Sequence, residues 1–238
     1  MGYRVQGVLV RAKPAIAGLA AIEHAYGFRL YELTGRGLYL LDLAIAEPGL
    51  ADRTVIRAAR PLAPGYVDAL RVLGADEEPL EQLAWLAASA AVARQLRQPV
   101  LGFLSDDERF DFAAVVKTEG VGVIGDKLGQ FLLRWERGEL VIQPFCNDAE
   151  DCDPPEAPEE LSLIPSVTIL GTEKLASSGY PLHGNVMAEM SAFAEGTEVL
   201  GIGTWNTGPA GSLRLLEARG LNHGLWDRAL PESLPDKR

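Results

Sequence analysis

Few side chains in this sequence have the chemistry to act as catalysts or ligands. There are three histidines, His24, His183 and His223. None shares with another the close spacing that lets imidazoles on one element hold a metal. His24 falls late in an expected helix, where a cation suits the negative end of the dipole. His183 lies within Ser177-Ser-Gly-Tyr-Pro-Leu-His-Gly184. A loop imidazole that titrates near neutral pH is a common general acid or base, so His183 is the candidate catalytic group. No partner triad is fixed by spacing and no Gly-x-Ser-x-Gly elbow is present, so a structural or surface histidine is the simpler account.

Cys146 and Cys152 are separated by five residues in an acidic stretch. Their spacing would allow a small disulfide, which a reducing cytosol would keep open. Neighbouring carboxylates raise a thiol pKa and make either sulfur a weak nucleophile. The sequence holds no zinc spacing and no Asp-x-Asp-x-Asp-Gly calcium loop, so no metal is expected. Gly120-Val-Gly-Val-Ile-Gly125 carries the letters of a dinucleotide fingerprint. The segment returns at once to strand-like sequence, leaving no room for a crossover helix, and Asp126 stands where a phosphate-binding lysine would be. A sheet segment that binds no nucleotide is therefore expected, and no cofactor.

Carboxylates are the abundant functional group. Asp106, Asp107 and Glu108 follow an expected strand, and Asp148, Asp151 and Asp153 lie in the run Asn147-Asp-Ala-Glu-Asp-Cys-Asp-Pro-Pro-Glu-Ala-Pro-Glu-Glu160. The 238 residues carry 22 Lys and Arg against 33 Asp and Glu, a net charge of -11. That balance argues against phosphate-backbone binding, which depends on cations displacing counterions. Residues 138–173 contain nine acidic side chains and no Lys or Arg. Clustered carboxylates and three prolines oppose helix and strand, so 147–160 reads as an exposed loop or linker.

The elements that must position these groups follow from periodicity. Tyr3 to Val10 reads as a strand, and Pro14 opens a helix that Gly27 would stop. Phe28–Leu33 and Leu38–Leu43 form a hairpin across Thr34-Gly-Arg-Gly37, and Thr54–Ala59 suggests a further strand. A helix from Asp76 to about Gln98 carries Leu80, Leu83, Ala84, Ala87, Ala91 and Leu96. Strands at Val100–Leu104 and Phe112–Lys117 flank the turn 105–111, and a second hairpin joins Gln130–Glu136 to Glu139–Gln143. Val167–Leu170 is a short strand. A helix beginning at Asn185, a strand from Glu198 to Thr204 and a helix capped by Ser212 over Leu213, Leu215 and Leu216 complete the pattern.

This order implies an α+β fold, a mostly antiparallel sheet or two such sheets with helices packed on one face. The expected division is a part at 1–145, the acidic segment 146–160 and a smaller part at 161–238 that would complete the same domain. No signal sequence or membrane span is evident, and the cytoplasm is the expected compartment. No residue set demands an enzyme. The expectation is a non-catalytic protein that captures a basic partner through Asp106, Asp107, Glu108, Asp148, Asp151 and Asp153, as small acidic immunity proteins and antitoxins capture a toxin. The alternatives are a small enzyme using His183 with nearby carboxylates, and a homo-oligomer without a toxin partner.

Overall fold

The computed structural model describes residues 4–20, 27–33, 37–44, 52–74, 79–106, 110–147, 153, 155–175 and 213–219. Eleven strands build one mixed sheet: β1 Arg4–Val10, β2 Gly27–Leu33, β3 Leu38–Ala44, β4 Val100–Asp106, β5 Phe110–Lys117, β6 Gly120–Leu128, β7 Phe131–Glu136, β8 Glu139–Asn147, β9 Val167–Ile169, β10 Glu173–Leu175 and β11 Leu213–Arg219. Their order is β10-β8-β7-β6-β5-β4-β1-β3-β2-β11, with β9 also beside β8. Strands β4 to β8 form an antiparallel meander, and β9 and β10 run parallel to β8. The strands that follow the acidic segment thus extend the sheet begun by the first half of the chain. Among the described residues three α-helices, α1 Asp52–Ala59, α2 Pro64–Leu73 and α3 Pro79–Leu96, precede β4. The class is α+β, as the element order implies. Among the described residues no helix is long and apolar enough to cross a membrane.

The turns explain the meander. Arg137 and Gly138 both have positive φ, 56° and 85°. That is the signature of a two-residue hairpin turn whose twist matches the flanking strands. Gly120 to Gly125 lies wholly within β6, paired along β5, so those glycines form sheet and open no helix.

Alternation along the strands decides what is buried. One alternate set, including Val8, Val10, Phe28, Leu41, Leu43, Leu104, Phe112 and Ile124, joins Tyr66, Leu70, Trp85 and Ala88 of the helices in a continuous core. Each fully buried side chain of this size contributes about 1.5–3 kcal/mol. Ser89 of α3 sits so close over β4 that a Cβ on Gly102 would lie 1.9 Å from its Oγ. Only glycine permits that approach. The other alternate set in the middle strands, Leu9, Tyr31, Leu40, Leu101 and Phe103, is buried as well. These strands therefore read as unbroken apolar runs, such as Val8-Leu-Val10 and Leu38-Tyr-Leu-Leu41. In β7 and β8 the same alternate positions, Leu132, Arg134, Val141 and Gln143, stay partly or fully exposed.

Several expected elements differ. Thr54–Ala59 falls within helix α1 and not in a strand, because Ile56 and Ala59 keep helical spacing toward the core. Helix α2, which Pro64 opens in its first turn, had no counterpart in the expected pattern. In the stretch expected as a helix from Pro14, a short 3-10 helix spans Ile16–Leu19. Leu213–Arg219 is strand β11, paired with β2, and not the helix expected from Leu213, Leu215 and Leu216. The turn expected over 105–111 is shorter, since Ser105 and Asp106 pair with Asp111 and Phe110.

Candidate functional site

The acidic segment after β8 is where charge and exposed apolar surface meet. Pro158, extended at φ -53° and ψ 136°, leads into a 3-10 helix over Glu159–Leu163. The Leu161 N–H donates to the Pro158 carbonyl at 3.1 Å, and the Ile164 N–H donates to the Leu161 carbonyl at 3.2 Å. Leu161 is fully buried, and Ala157 and Ile164 pack against the same core. Downstream, Leu140 N–H donates to Ser166 O and Leu170 N–H to Ile142 O, both at 2.9 Å, which ties the segment to β8. The stretch expected to be loop up to residue 160 is thus seated on the sheet from its second half onward. The Leu161 and Ile164 spacing, one turn apart, was the signal for that seat.

The anchoring turns other side chains outward. Asp153, Glu156, Glu159 and Glu160 are exposed. Leu163 is 81% exposed and Leu170 43%. Acidic side chains at the first turn of the 3-10 helix suit its unpaired N–H groups. An apolar side chain this exposed gains nothing from the isolated fold, and it is rimmed in sequence by carboxylates on a backbone held from both ends.

The candidate residues chosen from sequence are only partly brought together. Asp153 is exposed ahead of the acidic ridge formed by Glu156, Glu159 and Glu160. Asp106 ends β4 opposite Phe110. Asp107, Glu108, Asp148, Asp151 and His183 lie outside the described residues, as do His24, His223 and Cys152. The helix expected from Asn185 and the strand expected over 198–204 also lie outside them. Cys146 is not a loop thiol: it lies in β8, buried, and is disulfide-bonded. The expected open thiol is corrected accordingly. The sequence contains one other cysteine, Cys152.

A second polar feature escaped sequence reasoning. Tyr66 of α2 donates its hydroxyl to Asp126 Oδ2 of β6 at 2.7 Å, with both residues fully buried. The Tyr66 ring stacks on Phe112 at a centroid distance of 6.4 Å. Burial first, then the Asp126 charge and this hydrogen bond, hold the phenol well above its ordinary pKa. Tyr66 is therefore a fixed donor over the ordinary pH range and no proton shuttle. Gln82, two turns before Ser89 on α3, is also fully buried. Its amide has no hydrogen-bond partner among the described residues. The Tyr66–Asp126 bond lies within the packed core and joins α2 to the sheet.

Among the described residues no three His, Cys, Asp or Glu side chains gather closely enough to hold a metal ion. Comparison of the chain with protein-family models, with curated proteins and with solved structures finds no match.

Proposed function

We propose that this is a non-catalytic binding protein that captures a basic protein partner, in the manner of an acidic immunity protein or antitoxin. The observation that carries the reading is Leu163, 81% exposed, on an anchored segment whose Glu156, Glu159 and Glu160 side chains are exposed as well. A central apolar anchor with a charged rim is how protein interfaces concentrate affinity. The carboxylates, within a stretch of nine acids and no cation, would steer a cationic surface toward it. In this reading α1 to α3 lie together on one face of the sheet and brace the ridge through α2. The Cys146 disulfide argues against a reducing cytosol as the working compartment. Partner capture does not depend on that point.

The test places a photo-crosslinking side chain at position 163 and identifies what it captures in cells of the source organism. A single protein of basic pI, lost when Glu156, Glu159 and Glu160 are all changed to Gln, supports the reading. Capture that is unchanged by those substitutions contradicts it.

A further inference from the structure

The surface also carries a patch of the opposite sign. A groove of about 720 Å³ between α1 and α2 is lined by Ile56, Arg57, Arg60, Pro61, Pro64 and Arg71. Residues 52–74 carry four arginines against two aspartates in a chain of net charge -11. Arg57 and Arg71 each stand in the last turn of their helix, where a cation is favourable on its own account. That explains their presence on the helices and not their convergence with Arg60 on one groove. Arg60 is paired with Asp68, whereas Arg57 and Arg71 make no ion pair among the described residues. The apolar lining of the groove is Ile56 and two prolines. Its chemistry suits carboxylates carried on a partly apolar segment.

The chain itself supplies such a segment, and next to the groove. A methyl group on Gly65 would lie 3.5 Å from the Pro165 carbonyl oxygen, so the end of the acidic ridge abuts the first turn of α2. Pro64, the neighbour of Gly65, lines the groove. Opposite charges thus flank one helix end, and no ion pair joins the groove arginines to Glu156, Glu159 or Glu160 within the chain among the described residues. A two-fold axis beside that helix end sets unlike charge against unlike charge twice over, as a self-complementary dimer interface requires.

We propose that two copies of the chain dock reciprocally, each placing Glu156, Glu159, Glu160 and Leu163 in the Arg57–Arg60–Arg71 groove of the other. The dimer masks the ridge, and a basic partner must displace the arginines to reach it. The inference goes beyond partner capture and stands or falls separately from it, because no partner enters its test.

The experiment is sedimentation equilibrium on the purified full chain, with circular dichroism to confirm that each variant is folded. The wild type is expected to dimerise, with a Kd that rises about tenfold between about 50 mM and about 300 mM salt. The groove variant Arg57→Glu with Arg71→Glu should be monomeric. So should the ridge variant Glu159→Arg with Glu160→Arg. Mixed in equal amounts, the two should form a 1:1 heterodimer, because each then meets its opposite charge. A wild type that stays monomeric at about 100 µM in low salt overturns the proposal. So do folded charge-reversal variants that dimerise as the wild type does, or that fail to pair when mixed.

Discussion

Replacing Tyr66 by Phe isolates one hydrogen bond in the helix–sheet core. The ring and its stacking on Phe112 are retained, so no cavity opens and the perturbation is confined to the hydroxyl. What is lost is the 2.7 Å bond to Asp126 Oδ2 between two fully buried groups. Leaving a buried acceptor without its donor costs about 2 kcal/mol, between the values for neutral and charged partners. For a chain of this length that corresponds to a fall in Tm of about 4–8 °C. Denaturant unfolding with unchanged m-value would measure it. The double variant Tyr66→Phe with Asp126→Leu removes both polar groups and is expected to recover more than half of the summed single losses, since donor and acceptor of this bond are removed together. The pH dependence has a fixed sign. The folded pKa of Tyr66 lies above the ordinary 10.0. Its contribution is therefore fully present below about pH 10 and is lost as pH rises beyond it, so the wild type's advantage over Tyr66→Phe should shrink only in that alkaline range. A Tyr66→Phe stability within about 0.5 kcal/mol of wild type, or strict additivity in the double variant, would refute the reasoning.

Other outcomes follow from single contacts. Gly102→Ala forces a methyl to 1.9 Å from Ser89 Oγ. It should cost about 2–3 kcal/mol by thermal unfolding, and Ser89→Ala should relieve part of that loss, because Ser89 Cβ at 2.9 Å remains in the way. Cys146→Ser should lower stability by about 2 kcal/mol, the loop-closure contribution of a short disulfide ring, and peptide mapping of the untreated wild type should recover a Cys146–Cys152 cross-link. Leu163→Ala should leave Tm unchanged within about 1 °C, since the side chain is 81% exposed, while weakening any interface that uses it.

The sheet was legible where one physical rule acted alone. The β7–β8 hairpin follows from Arg137-Gly138 between alternating runs, and α3 from its apolar spacing. Strand β11 misled because of a bulge. The register shift between Leu215 and Glu217 puts Leu213, Leu215 and Leu216 at a spacing that imitates a helix. Helix α1 misled because Thr54, Val55 and Ile56 are β-branched, although Ile56 and Ala59 keep the helical period. At the site, sequence located the carboxylates without showing which of them stand on anchored backbone. That depends on Leu161 reaching the core and on hydrogen bonds from β8. The Tyr66–Asp126 pair joins residues sixty positions apart and left only one trace, an aspartate on the core-facing register of β6 between Ile124 and Leu128.

We propose the ridge at 156–163 as a charged capture surface for a basic protein. Stopped-flow association of the protein crosslinked from position 163 tests it most directly, with wild type compared against Glu156→Gln, Glu159→Gln, Glu160→Gln in one chain. The account predicts an association rate about tenfold lower for the triple variant in low salt, a gap that closes as salt rises, and a dissociation rate nearly unchanged. Equal association rates for the two chains in low salt would contradict it.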